Sequence, residues 1–215
     1  MLKADLHVHT IYSMDSASPL EKIVARCLEV GINCLAIADH NTIAGALRLK
    51  EMAPFQIIVA EEIMTSCGEI IGLFLHEEIP GKLPVEEAIG RVKAQDGLVC
   101  IPHPYDVLRL SAFRNRVLET IMPQVDIVEV FNARTLSPRG SGKARRLAQK
   151  YGKLAGAGSD AHTLSEIGNA YVKMAEFNGK NEFMVSLARG EILGRKSNPS
   201  VHIASTWARL KKQIF

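Results

Sequence analysis

Two histidines spaced two residues apart, His7 and His9, open the chemistry of this chain. In a β-strand, side chains at i and i+2 leave the same face. Both imidazoles therefore point one way from a segment Leu2–His9 whose other residues, Leu2, Ala4, Leu6 and Val8, suit a buried strand. Two imidazoles on one face at a strand end are half of a metal site. Candidates for the other half recur along the chain: Asp15, His40, Glu62, His103, Asp160 and His162, with Asp39, His76 and Asn132 close by. Five of the seven histidines, all but His76 and His202, fall in His-x-His, Asp-His, Pro-His-Pro and Asp-x-His clusters. A lone histidine at a strand end is ordinarily a hydrogen-bonded structural residue, and Asp5, Asp39 or Asp160 taken singly could cap a turn. The joint pattern instead points to a metal site. Nitrogen and oxygen ligands without cysteine suit Zn²⁺, Mn²⁺ or Fe²⁺. Eight or so ligands are too many for one ion, so two or three divalent ions are expected, bridged by Glu62 through its two oxygens.

The elements that must position these residues alternate. Apolar runs at Leu2–His9, Cys34–Ala38, Gln56–Ala60, Glu69–Leu75, Leu98–Ile101, Asp126–Phe131, Leu154–Gly158 and Tyr171–Ala175 read as strands. A turn at Ser66-Cys67-Gly68 makes the fourth antiparallel to the third. Helical spacing spans 19–28, 42–52, 84–94, 111–122, 141–151, 181–189 and 204–213. Ser18-Pro19-Leu20-Glu21 reads as a helix start, with Ser18 as N-cap and Gly31 as the stop. Alternation of this kind gives a mainly parallel α/β architecture. About seven β/α steps in this length favour a barrel-like winding over an open sheet. Strand after strand ends in a histidine or an acid, and in a parallel barrel those ends gather on one rim, where active sites sit.

Composition narrows the class. The 215 residues, 47% hydrophobic and 23% charged, are those of one globular domain. No run reaches the ~18 apolar residues of a membrane span, and the N-terminus enters a strand without a secretory signal. The four cysteines lack C-x-x-C spacing and sit in apolar surroundings, as reduced core thiols of a cytoplasmic protein do. A net charge of +3 and 6% aromatic residues weigh against a nucleic-acid partner while leaving nucleic acid open as a substrate.

These motifs carry a resemblance. Asp5-Leu6-His7-Val8-His9-Thr10 with Asp15, Ala38-Asp39-His40-Asn41-Thr42, Glu62, Ile101-Pro102-His103-Pro104 and Gly158-Ser159-Asp160-Ala161-His162 follow the order and spacing of the PHP (polymerase and histidinol phosphatase) superfamily. The chain resembles it over nearly its whole length, 1–215 forming one domain with 197–215 as a closing helix. The resemblance implies a distorted, TIM-like (β/α)₇ barrel with its metals at the C-terminal rim of the strands. It implies that His7, His9, Glu62 and Asp160 hold a first ion, Glu62 and His103 a second, and Asp15, His40 and His162 a third. Many members have histidine where this chain has Asn132, which makes Asn132 a weaker, neutral ligand of the second ion. Many also carry a histidine within the strand after the bridging glutamate, where this chain has only His76 at the end.

The implied activity is hydrolysis of a small phosphate ester, a sugar, amino-alcohol or nucleotide phosphate, by a metal-activated hydroxide. Asp160 and His103 are the catalytic candidates. Arg134 and Arg139, after the strand ending at Asn132, offer guanidinium forks to a phosphate. Two alternatives stand beside this reading: a 3′–5′ exonuclease or repair nuclease, and a non-catalytic metal-binding module, which should have lost ligands that this chain retains.

Overall fold

The computed structural model describes residues 1–106, 113, 115–137 and 139–214. In chain order these form β1 (Leu2–Val8), α1 (Leu20–Val30), β2 (Cys34–His40), α2 (Ala44–Met52), β3 (Gln56–Met64), β4 (Glu69–Leu73), α3 (Val85–Ala94), β5 (Leu98–Ile101), α4 (Asn115–Ile121), β6 (Ile127–Asn132), α5 (Gly140–Tyr151), β7 (Leu154–Gly158), β8 (Ala170–Met174), α6 (Lys180–Ala188), β9 (Glu191–Gly194) and α7 (Val201–Ile214). One sheet holds all nine strands in the order β7-β6-β5-β4-β3-β2-β1-β8-β9. β1, β2 and β3 are mutually parallel, as are β5, β6 and β7, and β4 runs antiparallel to both its neighbours.

The sheet nearly closes on itself. The N-terminal half of β1 pairs antiparallel with β8, at Leu2–Ala4. Its C-terminal end instead meets the segment leaving β7: Asp160 N–H donates to the His7 carbonyl at 2.7 Å, and His9 N–H to the Ala161 carbonyl at 2.9 Å. Seven strands thus surround a common interior, the expected distorted (β/α)₇ barrel, while β8 and β9 extend one side.

Period-2 alternation divides the strands. Leu35, Ile37, Ile57 and Val59 face the helices and pack with Ile23, Leu49 and Val92. Cys34, Ala36, Ala38, Ile58, Ala60, Ile71 and Leu73 fill the interior, together with Phe183 and Leu187 of α6. Small residues on the inward face let the barrel be narrow. Continued upward, the same inward faces reach His40, Glu62 and Glu69, so the interior is apolar below and charged at the rim. In β1, Leu2, Ala4 and Leu6 join the inner cluster but Val8 joins the outer one. A register shift between Asp5 and Val8 causes the change of face and leaves His7 and His9 in the barrel mouth.

Local differences from the sequence reading have physical causes. Ser18 does not cap α1: Pro19 occupies the cap position and the Ser18 hydroxyl donates to the His162 carbonyl at 3.2 Å. Gly31 ends α1 as expected, in the left-handed conformation (φ 72°). β2 and β3 run on to His40 and Met64, because pairing between them continues past the apolar residues as far as His40 beside Glu62. β9 was not anticipated; its four residues are half exposed and pair only with β8. The start of the helix expected over 111–122 lies outside the described residues, and α4 covers its second half.

Candidate metal centre

The rim side chains converge as a single buried cluster. Glu62, at the end of β3, is its centre. Its Oε1 lies 3.1 Å from His103 Nε2. Its Oε2 lies 3.5 Å from His7 Nε2, 3.4 Å from His9 Nε2 and 3.2 Å from His40 Nδ1. The two oxygens therefore face two different sides, as a bridging carboxylate requires. Asp160 Oδ1 lies 3.7 Å from His7 Nε2 and 3.5 Å from His9 Nε2. Asp15 spans two further imidazoles, with His40 Nε2 at 3.4 Å and His162 Nε2 at 3.3 Å. His7, His9, Glu62 and Asp160 are fully buried, and His103 and His162 nearly so.

Outer contacts fix which nitrogen faces inward for three of the rings, His7, His9 and His162. Ser13 Oγ donates its one proton to Asp39 Oδ1 at 2.7 Å, so at 2.9 Å from His9 Nδ1 it accepts, and His9 carries its proton on Nδ1. His7 Nδ1 faces Glu129 Oε1 at 3.2 Å and His162 Nδ1 faces the Asp160 carbonyl at 2.8 Å. Both partners only accept, so both Nδ1 atoms carry protons. In their neutral forms, His7, His9 and His162 all aim a bare Nε2 lone pair into the cluster. His7 Nε2 and His9 Nε2 stand 3.1 Å apart. Two lone pairs at that separation repel unless a proton or a metal ion lies against them, and a metal ion would also meet the Glu62 and Asp160 oxygens that face both rings. The residues present therefore fit divalent ions.

Electrostatics agree. Burial lowers the pKa of His7, but Asp160, Glu62 and Glu129 carry it well above the usual range. Burial likewise opposes the charge on His40, which Glu62 and Asp15 raise to about 9. Burial and the neighbouring His162 and His40 rings push His9 down to about 3. Against burial, His162 and His40 hold the Asp15 carboxyl well below its ordinary value. At His7 and His40 the carboxylates outweigh the burial penalty, so these two positions favour positive charge, whereas at His9 burial prevails.

The sequence-derived residues meet here with overlaps. His7, His9 and Asp160 group closely, as do His7, Glu62 and His103, and also His9, His40 and His162. Two candidate ligands adopt left-handed backbone, His103 (φ 30°) between two prolines and Asp160 (φ 55°). Such strain concentrates at functional sites. Asn132 sits differently from a ligand. Its Oδ1 accepts from the N–H groups of Arg134 and Thr135 at 2.9 and 3.2 Å, while its amide nitrogen donates to Glu129 Oε2 at 2.9 Å and Asp160 Oδ2 at 3.2 Å. Backbone N–H groups can only donate, so the amide orientation is fixed and an NH₂ faces the cluster. Arg134 is buried, paired with Glu166 (3.4 Å) and donating to Ser205 Oγ (2.8 Å) and the Val201 carbonyl (3.3 Å). Arg139 is exposed at the N-terminus of α5. His76 lies on an exposed turn away from the cluster, and Asp39 binds Thr10 and Ser13 behind it.

Two acids were not singled out from the sequence. Glu69, at the start of β4, groups with His40 and Glu62. Glu129 supports His7, the His103 N–H (2.8 Å) and Asn132. The available signal for Glu129 was a charge between Val128 and Val130 in a strand otherwise apolar from Ile127 to Phe131.

A protein of Methanocaldococcus jannaschii, described only as uncharacterized, is 40% identical over 209 residues, covering 92% of this chain and 84% of its own length. The sequence profile of the PHP domain matches residues 5–78, and that of the PHP-associated region matches 138–192. The chain belongs to the PHP family. The fold of this PHP protein is shared, at TM-score 0.73 and 15% identity, by a two-domain Bacteroides vulgatus protein containing a predicted PHP-like metal-dependent phosphoesterase; 96% of this chain and 69% of that one are covered. An error-prone DNA polymerase of Cutibacterium acnes is 43% identical over 51 residues, which are 23% of this chain and 4% of the polymerase. Membership of the PHP family, with the clusters above, makes divalent metals the expected cofactors of this rim. Among the described residues no helix is long and apolar enough to cross a membrane.

Proposed function

We propose that this PHP protein is a hydrolase that cleaves a small phosphate ester, of the sugar, amino-alcohol or nucleotide phosphate class, at a centre of two or three divalent ions (Zn²⁺, Mn²⁺ or Fe²⁺). The observation that carries the reading is the convergence of three Nε2 lone pairs on the oxygens of Glu62, Asp160 and Asp15. In this reading His7, His9, Glu62 and Asp160 hold one ion, Glu62 and His103 a second, and Asp15, His40 and His162 a third. Ions held there would lower the pKa of water and neutralise phosphoryl oxygens.

The residues of the chain do the rest. Asp160 orients the attacking water and takes its proton on a carboxyl that Asn132 holds from the far side. His103, fixed by its prolines and by Glu129, lines the substrate side beside a shallow hollow bounded by Asn132, Thr135 and Ser141. Asn132 acts as a donor that steers Asp160 rather than as a metal ligand. Arg139, exposed beside that hollow, is the better phosphate contact, since the donors of Arg134 are turned to Glu166, Val201 and Ser205. Three buried cysteines used as core residues support a cytoplasmic setting.

The test is release of inorganic phosphate from a panel of small phosphate esters with added Mn²⁺, metal content being verified. Release that a chelator abolishes supports the proposal, and no turnover of any ester by metal-loaded protein contradicts it. The polymerase match favours one second reading, a nuclease. Digestion of oligonucleotides that falls steeply with salt, without release from small esters, would establish that reading instead.

A further inference from the structure

The C-terminal helix is attached at both ends to loops that carry candidate ligands. Near its start, the Val201 carbonyl and Ser205 hydroxyl accept from the Arg134 guanidinium, which also donates to the Asp160 carbonyl at 3.5 Å. Arg134 is paired with Glu166, whose other oxygen accepts from the N–H groups of His162 (3.2 Å) and Thr163 (3.0 Å). That end therefore holds the loop of Asp160 and His162. Near the other end, Lys212 Nζ donates to the carbonyls of Ile11 (2.5 Å), Ser13 (2.6 Å) and Ser16 (2.9 Å). An ammonium has three protons, and here all three meet backbone carbonyls of one loop. That loop carries Asp15.

A lysine on a solvated helix face does not gather three carbonyls from a loop about two hundred residues earlier in the chain. The loop is already fastened from beneath, since Thr10 and Ser13 bind Asp39, and Ser16 Oγ donates to the His9 and His162 carbonyls at 3.3 and 3.0 Å. Lys212 fastens it from above. The two ends of α7 thus grip the two loops whose side chains face each other, Asp15 Oδ1 and His162 Nε2, at 3.3 Å. Neither matched profile, 5–78 or 138–192, reaches this helix.

We infer that α7 is a strap that sets the third-ion position, with Lys212 as the positioning residue that holds the Asp15 loop. The inference rests on the trinuclear reading above. A strap of this kind makes the affinity of one ion depend on a residue that touches none.

The experiment compares wild type, Lys212→Met and Lys211→Met. Lys211 is exposed one residue away and loses the same charge, so it controls for charge alone. Mn²⁺ titration reads the number and affinity of ions, and amide hydrogen exchange of residues 11–16 in metal-free protein reads the loop. Lys212→Met is expected to weaken only the last equivalent of Mn²⁺, by about tenfold, and to speed exchange in that loop. Lys211→Met is expected to match wild type in both. Unchanged affinity and unchanged exchange in Lys212→Met would overturn the strap while wild type still bound three ions. Wild-type protein that bound no Mn²⁺ would overturn the trinuclear reading and its third-ion consequence, while the exchange data would still decide whether Lys212 holds the loop.

Discussion

Ser13 Oγ lies 2.9 Å from His9 Nδ1, and because its only proton goes to Asp39, it fixes the tautomer of an imidazole that faces the rim cluster. The same oxygen also accepts the His40 N–H at 3.1 Å. One hydroxyl thus orients two candidate ligands. Ser13→Ala strips the partner from His9 Nδ1 and from the His40 N–H. It is expected to weaken metal affinity by about 10–100-fold and to lower stability by about 1–3 kcal/mol. Calorimetric metal titration and denaturant unfolding check both.

Glu129 plays the matching part for His7. It accepts from His7 Nδ1, the His103 N–H and the Asn132 amide, three donors shared between two oxygens. In Glu129→Gln one oxygen becomes an NH₂ that faces donors. Metal affinity is expected to fall about 10–100-fold, with the fold retained by circular dichroism. A variant that bound metal as wild type does would show that His7 is oriented by other means.

Gly158 is where β7 touches β1. A Cβ there would clash with the Cβ of His7 and lie 2.8 Å from its backbone nitrogen. Both strands are fixed at this point by the Asp160-to-His7 and His9-to-Ala161 hydrogen bonds, so neither can yield cheaply. Gly158→Ala is expected to destabilise the protein by about 1–3 kcal/mol and to reduce metal uptake, as thermal melting with and without Mn²⁺ would record.

Much of this was legible in the sequence because strand periodicity and ligand chemistry coincide. Cys34, Ala36, Ala38 and His40 alternate inward on β2, as Ile58, Ala60 and Glu62 do on β3, so the apolar pattern itself pointed to the rim. Glu129 escaped because a lone acid within an apolar strand declares no partner, and its three donors come from β1, from the turn after β5 and from its own strand. The family resemblance makes Asn132 a weak ligand; only the two N–H groups that hold its oxygen reveal it as a donor. Arg134 likewise looked like a phosphate fork until Glu166 and Ser205, 32 and 71 residues later, were placed against it. β9 was missed because four half-exposed residues carry no periodicity.

The cysteines separate by environment. Cys27, Cys34 and Cys100 are buried, and burial pushes the Cys27 and Cys34 thiols up to about 12 and that of Cys100 well above its usual value; Cys67 is exposed. Only thiolates react with disulfide reagents. Native protein should therefore titrate one rapid thiol, abolished in Cys67→Ser, and four after unfolding. Rapid reaction of two or more in the native state would contradict the packing of β2 and β5.

Anomalous diffraction from crystals of Mn²⁺-loaded protein shows whether divalent ions sit between the rim atoms named above. Peaks are expected about 2.0–2.3 Å from His7 Nε2, His9 Nε2 and Glu62, with a further peak between His162 Nε2 and Asp15. A loaded crystal with no anomalous peak within coordination distance of His7, His9 or Glu62 would contradict a metal centre at this rim.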